Sequence, residues 1–522
     1  MRRRTFAEID ADRRTFLKAG AAIAALPWLG TRVEGIVEGA AVFPADPFQL
    51  GVASGDPRDD GFVIWTRLAP RPLEGGGMPA RNIRVQWQIA SDEAMTQIVR
   101  RGTTVATPQL GHSVHMTLNG LKPDRWYWYR FKSGGAESPI GRARTTPQSW
   151  KHVDRLRFAF ASCQHYEHGF FTAYEHMARE DLDLVVHLGD YIYEYESRQP
   201  GVRKHLGPEI TTLEHYRNRL AQYRTDPHLQ AMHARCPWIV TWDDHEFDNN
   251  CANDISEQPG VKPADFLVRR ANSYQAYYEH MPLRISSLPR GPHMQLYRHV
   301  GYGRLADFDV LDTRQYRTDQ PNGDGAKPRT GKVLDPKATL LGNRQEHWLK
   351  RRLLQSRSDW NILAQQVMVA RVDRGLGKDQ LYSMDQWSGY EASRQRLLSF
   401  LHERRVTNPV VLTGDIHTNY VNDLLSNFDK PDSPVVATEF VGTSISSGGD
   451  GSQKADYTDS MLAKNPWVKF HNAERGYVSC TVTPQEWRSD FQVVEHVTRP
   501  GAPLITRKSF VVENGRPGAQ PA

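Results

Sequence analysis

The chain contains few cysteines, and none of them is closely paired with another. Among 522 residues only Cys163, Cys236, Cys251 and Cys480 are cysteines, and no Cys-x-x-Cys motif occurs. A structural zinc site normally needs such paired thiolates, so none is expected. In an exported protein the four cysteines could form disulfides, for which three pairings are possible.

Clusters of basic residues and long apolar runs are also missing from the sequence. The net charge is only +6, and no stretch combines Lys and Arg with interleaved aromatic residues. A nucleic-acid-binding module is therefore not expected. Beyond the N-terminus no apolar run reaches the roughly 18 residues that a membrane-spanning helix needs. We therefore expect a mature protein that is soluble and has no transmembrane segment.

The first 30 residues contain a pair of arginines followed by a mildly apolar run. Arg13 and Arg14 precede Thr-Phe-Leu-Lys, and the apolar run covers residues 19–29. This pattern resembles a twin-arginine export signal, and an ordinary amphipathic helix is the alternative. We predict a signal peptide over residues 1–41 and export by the twin-arginine machinery to the periplasm or the extracellular space. Because that route carries folded proteins, it suits a protein that binds its cofactor before export.

Two different patterns divide the rest of the chain into two domains. Residues 42–148 are predicted to form an all-β domain of the immunoglobulin or fibronectin type, because short strand-like runs alternate with turn signals. These runs cover residues 62–68, 83–90, 112–118 and 124–131. Residues 149–510 alternate apolar strand-like runs with helical patterns, which predicts an α/β domain. Residues 511–522 are predicted to be a flexible tail.

The predicted α/β domain has enough apolar residues for a sizeable core, since 39% of the chain is apolar and 24% is charged. Its predicted strands cover residues 157–161, 182–188, 238–242, 306–312, 361–370 and 409–414. Its predicted helices cover residues 170–180, 212–224 and 342–356.

Five of these strands are followed by residues that commonly bind metals or phosphate. The groups are SCQH (162–165), GDYIYE (189–194), DDHE (243–246), DTR (312–314) and GDIHTN (414–419). In open α/β sheets, ligand sites form beyond the carboxyl ends of the strands. Five such groups in the same structural position predict one shared site.

Several acidic and imidazole side chains would lie close together at this site: Asp190, Asp244, Asp415, His245 and His417. Neighbouring carboxylates cannot all remain ionised without a counter-charge, which bound cations supply. Asp190 directly follows its strand and Gly189, which permits a sharp turn, so it is well placed to bridge two cations. A bridged pair of cations is an arrangement used for the hydrolysis of phosphate esters.

Two further side chains could either bind a metal or serve only in packing. Tyr193 lies three residues after Asp190, so one helical turn would bring both side chains to the same face. A phenolate ligand requires a strongly polarising cation such as Fe3+, because free tyrosine has a pKa of about 10. Tyr193 could instead be a packed wall residue, and Cys163 could be either a thiolate ligand or a small buried residue.

His245 and Arg314 are the candidate catalytic residues. His245 could donate a hydrogen bond to a phosphoryl oxygen or protonate a leaving group. Arg314 could bind a phosphate group through two hydrogen bonds, or it could form a salt bridge with Asp312 or Asp319. The acidic residues around His245 could also be solvated or cap a following helix.

Taken together, the motifs resemble the alkaline phosphatase D branch of the metallophosphoesterases, the PhoD-like family, along nearly the whole chain. The matching stretches are SGDP (54–57), FVIWTRLAP (62–70), FASCQ (160–164), HLGDYIYEY (187–195), TWDDHEFDNN (241–250), LDTRQYR (311–317) and LTGDIHTN (412–419). Ordinary metallophosphoesterases open with Asp-x-His, and Ser-Cys-Gln stands in its place here, as in this branch.

The resemblance implies a metallophosphoesterase-like α/β sandwich domain with a site for Fe3+ and one or more Ca2+ ions. The implied iron ligands are Cys163, Asp190, Tyr193 and His417. Asp190 would bridge to calcium, Asp244 and Asp415 would lie on the calcium side, and His245 and Arg314 would contact phosphate. The implied reaction is the hydrolysis of small phosphate monoesters, phosphodiesters or both by a metal-bound hydroxide. A bond between Fe3+ and a tyrosinate would also colour the protein.

Three alternative interpretations remain open at this point. A phospholipase-D-like phosphodiesterase would share the architecture and act on lipids. A purple acid phosphatase would pair iron with zinc or manganese and use more histidines, against which Cys163 argues. A non-catalytic exported binding protein would not need the intact Asp190, Asp244 and Asp415. The stretch after Asn472 could cover the site in any of these proteins.

Overall fold

The computed structural model describes residues 43–197 and 201–522, so the predicted signal peptide over residues 1–41 lies outside the described part. Within that part, no helix has the length and apolar character that crossing a membrane requires. All four cysteines are buried and free, so none of the possible disulfide pairings is formed.

The N-terminal residues form two sheets that share a core. Their strands are β1 (Val52–Arg58), β2 (Gly61–Arg67), β3 (Ile83–Ala90), β4 (Ile98–Ala106), β5 (Ser113–Leu118), β6 (Trp126–Ser133), β7 (Ala136–Glu137) and β8 (Gly141–Arg144). β1, β2 and β5 pair antiparallel in one sheet, and the other five strands form the second. Ile64 and Leu118 of the first sheet pack with Val85 and Tyr129 of the second. β4 is not predicted from the sequence, because most of its side chains are exposed or half-buried and do not alternate clearly.

The larger domain is built on two extensive sheets with parallel strands at their centres. One of them is continuous with the sheet formed by β1, β2 and β5. Its first strands are β9 (Leu156–Ala161), β10 (Leu184–His187), β11 (Trp238–Val240), β12 (Arg298–Tyr302), β13 (Ala306–Val310), β14 (Ala326–Lys327), β15 (Trp360–Ala364), β16 (Tyr382–Ser383), β17 (Pro409–Thr413), β18 (Asn419–Leu425) and β19 (Val435–Val441). β9, β10 and β11 are parallel neighbours in one sheet, which continues into β1. β13, β15, β17 and β19 are parallel neighbours in the other.

Helices cover the outer faces of the two sheets. They are α1 (Thr172–Met177), α2 (Leu213–Arg224), α3 (Pro227–Arg235), α4 (Pro263–His280), α5 (Gly342–Gln355), α6 (Glu391–Glu403) and α7 (Thr458–Lys464). Phe158 and Phe308 point into the core between the sheets, whereas Val185 and Val411 point to the helices on opposite sides. The six predicted strands and three predicted helices are all present, although the strand predicted over residues 361–370 ends at Ala364. Strands buried on both faces have continuous apolar sequences, which makes them easy to predict.

The C-terminal residues do not form the predicted flexible tail. The last strands are β20 (Gly451–Ser452), β21 (Val468–Val482), β22 (Glu486–Val494), β23 (Leu504–Glu513) and β24 (Arg516–Pro521). β23 and β24 pair in a hairpin whose turn is Asn514-Gly515, and Val512 and Ala519 are buried in the core between the sheets. Asn-Gly is a strong turn signal, but the small and polar residues after it conceal the strand.

The stretch after Asn472 extends the sheets and does not lie over the strand ends as a separate segment. The first half of β21 pairs with β18, and its second half pairs with β9. One strand therefore belongs to both sheets and fixes their relative position.

Trp487 of β22 tests the importance of the core between the sheets. Its fully buried ring lies 5.4 Å from the Phe158 ring and 5.8 Å from the Trp360 ring, measured between centroids. Trp487→Ala should lower the free energy of unfolding by about 3–5 kcal/mol, because it leaves a large cavity.

Trp150→Ala is the matched control, because that residue is 66% exposed. Its effect should stay within about 0.5 kcal/mol. Urea unfolding followed by circular dichroism would measure both variants, and an equally small change in both would contradict the expected role of the core.

Candidate metal centre

The loops that follow β9, β10, β11 and β17 meet at one edge of the two sheets. Three groups of potential metal ligands lie there, and the donor atoms within each group are all within 4.8 Å of one another. The groups are Cys163 with Asp190 and His417, Asp190 with Asp244 and His245, and Asp243 with Asp244 and Asp415. Asp190 and Asp244 each belong to two of the groups. The convergence predicted from the strand ends is therefore present.

Four of these residues have backbone conformations that non-glycine residues seldom adopt. The φ angles are 59° at Cys163, 54° at Asp190, 65° at Asp415 and 57° at His417. Such conformations cost roughly 1–3 kcal/mol each and are common where a fold holds functional side chains in place. Gly189 has φ 113°, and a Cβ atom there would lie 2.4 Å from the backbone nitrogen of Asp243. The turn predicted at Gly189 therefore also lets two ligand loops approach each other.

Tyr193 reaches the same group, although the helical turn predicted for it does not form. Residues 189–197 contain no helix. The Tyr193 hydroxyl nevertheless donates to Asp190 Oδ2 at 2.9 Å and lies 3.1 Å from His417 Nε2. Burial, with the charge of Asp190, raises the pKa of Tyr193 well above its usual value. The phenol therefore needs a strongly polarising cation if it is to lose its proton.

Three buried carboxylates each have one oxygen that makes no hydrogen bond within the described part of the chain. These oxygens are Asp190 Oδ1, Asp243 Oδ2 and Asp244 Oδ1. A buried carboxylate oxygen without a partner is costly, and a cation can satisfy several such oxygens at once. Burial also raises the pKa of Asp190 and Asp243 well above the usual range and that of Asp415 to about 7. The residues present therefore fit bound cations.

The donor atoms differ between the two ends of the centre. Cys163, Tyr193 and His417 offer sulphur, phenol oxygen and imidazole nitrogen beside Asp190. Beyond Asp190 most of the donors are carboxylate oxygens, which calcium prefers, and His245 adds one imidazole nitrogen. Burial, together with the charge of Asp190, raises the pKa of the Cys163 thiol. A thiolate at this position would therefore need a metal to stabilise it.

Arg314 does not have the position predicted for a phosphate-binding residue. Its fully buried guanidinium donates from Nε to Asp243, from Nη1 to Asp385 at 2.7 Å and from Nη2 to Asp415 at 3.3 Å. The salt bridges considered above are not formed either, and Asp312 instead accepts a bond from the Arg314 backbone nitrogen. Arg314 therefore balances the charge of buried carboxylates and fixes their orientation.

His245 is held by a residue that the sequence did not single out. Its Nδ1 lies 2.8 Å from Glu194 Oε2, and its ring centroid lies 4.2 Å from that of Tyr193. Burial lowers the pKa of His245, but Glu194 and Asp244 outweigh this effect and raise it well above the usual value. The carboxylates therefore favour the protonated imidazole, with Nδ1 engaged by Glu194 and Nε2 left for another partner.

Glu246 connects the loops after β10 and β11. Its fully buried carboxylate accepts hydrogen bonds from the backbone nitrogens of Asp190 at 3.1 Å, Asp243 at 2.8 Å and Tyr191. Burial raises its pKa to about 7. The motif predicted a functional role for this acidic stretch, and Glu246 itself positions the neighbouring ligands.

Besides Glu194, three residues of the centre are not predicted from the sequence. Asp243 directly precedes Asp244, and sequence alone does not reveal that both side chains face the site. Asp385 lies between β16 and α6 and follows no predicted strand, so nothing marks it. Ser447, whose hydroxyl donates to Tyr193 at 2.7 Å, lies after β19 in a serine- and glycine-rich loop.

Comparison with known proteins identifies the family of the chain. Residues 158–491 match the family described as PhoD-like phosphatase, and residues 35–147 match its N-terminal domain. The chain belongs to the PhoD-like phosphatase family. It is 51% identical to alkaline phosphatase D of Bacillus subtilis (strain 168) over 527 residues, which cover 99% of this chain and 90% of the relative.

A solved structure confirms the relationship within the PhoD-like family. The structure described as "Structure of PhoD" superposes with a TM-score of 0.91 at 53% identity, covering 92% of this chain and 93% of that one. The overall α/β fold, the predicted family and the predicted class of enzyme, a hydrolase of phosphate esters, are thereby confirmed. Membership of this family replaces the purple acid phosphatase and the non-catalytic interpretations.

Gly189→Ala tests whether the turn at Gly189 positions the ligands. The added Cβ atom would collide with the backbone of Asp243, so the carboxylates of Asp190 and Asp243 would have to move. Phosphatase activity should fall about a hundredfold, because a displacement of about 1 Å in an active site can have that effect.

Gly207→Ala is the control for backbone strain alone. Gly207 has φ 79°, but a Cβ atom there would meet nothing within 4 Å. Its activity should stay within about twofold of the wild type, since surface changes remote from a site have small effects. Equal activity of the two variants in a kcat/KM assay would contradict the role assigned to Gly189.

Proposed function

We propose that the chain is a secreted phosphatase or phosphodiesterase whose activity depends on Fe3+ and Ca2+. The observation that carries the proposal is the set of three buried carboxylate oxygens without hydrogen-bond partners among the described residues. They belong to Asp190, which lies beside Cys163 and His417, and to Asp243 and Asp244, which lie beside Asp415. Cations would satisfy these oxygens and balance their charge.

Fe3+ would be held by Cys163, Asp190, Tyr193 and His417. A hard trivalent cation can lower the pKa of a phenol that burial has raised, and it can stabilise a buried thiolate. The contacts of the Tyr193 hydroxyl with Asp190 and His417 support a shared site for these side chains. The same contacts favour the ligand interpretation of Tyr193 over the packing interpretation.

Ca2+ would be held by Asp190, Asp244 and Asp415, with Asp190 bridging to Fe3+. Ca2+ binds six to eight oxygen atoms, and Asp243 would add a carboxylate that the sequence did not predict. Asp244 Oδ2 is already fixed by the backbone nitrogen of Asn250 at 2.6 Å, which leaves Oδ1 for a cation.

The side chains around the cations would have separate tasks in hydrolysis. The bound cations would supply Lewis acidity that stabilises negative charge on the phosphoryl oxygens. His245, held in orientation by Glu194, would donate its proton to the oxygen of the leaving group. Arg314 and Glu246 would keep the ligand loops in place and would not contact the substrate.

The expected substrates are small phosphate monoesters, phosphodiesters or both. The twin-arginine pattern supports export of the folded, metal-loaded protein to the periplasm or the extracellular space. The N-terminal strands would form an immunoglobulin- or fibronectin-like scaffold, and the larger domain a metallophosphoesterase-like sandwich.

The metal content provides the direct test of this proposal. Purified protein should contain iron and calcium and should absorb visible light through a bond between Fe3+ and the Tyr193 phenolate. A calcium chelator should abolish the hydrolysis of p-nitrophenyl phosphate, and added Ca2+ should restore it. Elemental analysis, visible spectra and activity assays would measure these properties.

Tyr193→Phe should lose the visible absorption band that arises from the bond between Fe3+ and the phenolate, because the ring would no longer carry a phenolate. Tyr191→Phe is the matched control, since the Tyr191 hydroxyl lies 2.9 Å from His233 Nε2 and does not bind to the ligand groups. A colourless, metal-free preparation with full activity would rule out the proposed centre.

The leaving group provides the test for His245. His245→Asn should lower kcat by about 100- to 10,000-fold with an alkyl phosphate, whose leaving oxygen needs a proton. The loss should be much smaller with p-nitrophenyl phosphate, because p-nitrophenolate leaves without protonation. The metal content should not change.

His347→Asn is the control for this test, because His347 is exposed on α5. It should behave as the wild type with both substrates. If His245→Asn lowered kcat equally with both, His245 would not be the proton donor.

A further inference from the structure

A second cavity adjoins the metal centre and shares one residue with it. The cavity at the centre has a volume of about 300 Å3 and includes Asp385, Asp415 and His417 in its wall. The neighbouring cavity has a volume of about 510 Å3, and its apolar wall consists of Leu376, Tyr420, Tyr457 and Met461. Among the described residues that line the two cavities, Arg374 is the one they have in common.

Arg374 is a cation whose side chain makes no hydrogen bond or ion pair with the described residues, and it is exposed. In contrast, Arg314 and Arg317 are fully buried and both donate to Asp385. Arg374 also carries the only permanent positive charge among the described residues in the wall of the smaller cavity. A free guanidinium at the edge of a site for phosphate esters can bind phosphate oxygens through two parallel hydrogen bonds.

The backbone around Arg374 is fixed by several hydrogen bonds. The Arg374 backbone nitrogen donates to Leu381 at 2.8 Å, which closes the loop. Asp373 Oδ1 accepts bonds from the backbone nitrogens of Gly375 at 2.9 Å and Leu381 at 3.0 Å. Lys464 donates to the Gly377 carbonyl at 2.8 Å. Arg374 is therefore held at the boundary between the cavities while its side chain remains free.

A residue that lines the larger cavity closely follows a residue of the metal centre in the sequence. Tyr420 lies three residues after His417, near the start of β18, and it is buried together with Met461. Tyr457 is half-buried, and its hydroxyl lies 3.4 Å from His471 Nε2. Leu376 is 81% exposed at the opening. Leu376 therefore adds an exposed apolar side chain to the rim of this cavity.

We propose that Arg374 binds the phosphate group of the substrate and that the larger cavity binds its alkyl or aryl group. This inference rests on the proposed function, because it assigns a substrate to the same centre. The volume of the cavity is in the range that accommodates organic ligands. Of the arginines at this centre, the free Arg374 and not the buried Arg314 would then recognise the anion.

Arg374→Ala should lower kcat/KM for alkyl phosphates by about tenfold to a hundredfold, which corresponds to the loss of hydrogen bonds to a charged group. Inhibition by inorganic phosphate should weaken by a similar factor, whereas the iron and calcium contents should stay unchanged. Arg374→Lys should recover part of the loss, since it keeps the charge. Lys378→Ala removes a neighbouring cation of the same loop that lines neither cavity, and it should behave as the wild type.

The alkyl chain tests the larger cavity. With methyl, butyl, hexyl and octyl phosphate, kcat/KM of the wild type should rise by about threefold for each methylene group that becomes buried, until the cavity is filled. Leu376→Ser and Met461→Ala should both reduce this dependence on chain length. Leu354→Ser, which changes an equally apolar and 58% exposed side chain on α5, should leave it as in the wild type.

The outcomes separate the two proposals. If the wild-type protein hydrolysed none of the esters, with or without metals, the proposed function itself would be ruled out. A metal-dependent enzyme in which Arg374→Ala keeps full kcat/KM and phosphate inhibition would leave that function intact and overturn the role of Arg374. Likewise, a kcat/KM that does not depend on chain length would overturn the role of the larger cavity.

Discussion

The concentration of six carboxylates at one edge of two sheets is the constraint on which the rest of the centre depends. Asp190, Asp243, Asp244, Glu246 and Asp385 are buried, and Asp415 is half-buried. Inside the protein their charge is balanced only in part, by the guanidinium groups of Arg314 and Arg317. Since isolated buried charges are strongly unfavourable, the remaining negative charge calls for protons or for metal cations. The carboxylate oxygens that accept no hydrogen bond from the described residues indicate where such cations would bind.

The two sheets make this concentration of charge possible, because they hold the ligand loops against both repulsion and backbone strain. Cys163 and Asp190 follow strands of the first sheet, whereas Asp415 and His417 follow a strand of the second, and all four have positive φ angles. A single flexible loop could relax out of these conformations. Here the loops begin at strands buried on both faces, and β21 pairs with both sheets. The rigid core shared by the two sheets therefore limits the movement of the ligand side chains.

The sequence predicted the strands, and hence the ligands that follow them directly, because burial on both faces produces apolar runs that end abruptly. It did not predict Asp385, which reaches the centre from a long connection, or the β23–β24 hairpin, whose residues are small and polar. The side chain of Tyr193 lies beside Asp190, as the sequence predicts, but not for the predicted reason. The expected helical turn is absent, and the irregular backbone after Asp190 brings the two side chains together instead. Contacts made by irregular segments have no periodic signal in the sequence.

The two arginines at the centre show why a motif alone does not assign a role. Arg314 belongs to a recognisable motif at the end of a strand, and this favoured it as the residue that binds phosphate. Its guanidinium, however, is surrounded by carboxylates that it must neutralise whether or not substrate is present. A cation can attract a substrate only if its charge is not already compensated. Arg374 meets that condition because its side chain makes no hydrogen bond or ion pair with the described residues. Nothing in the local sequence marks it. Recognition of the substrate and stability of the centre can then depend on different positive charges.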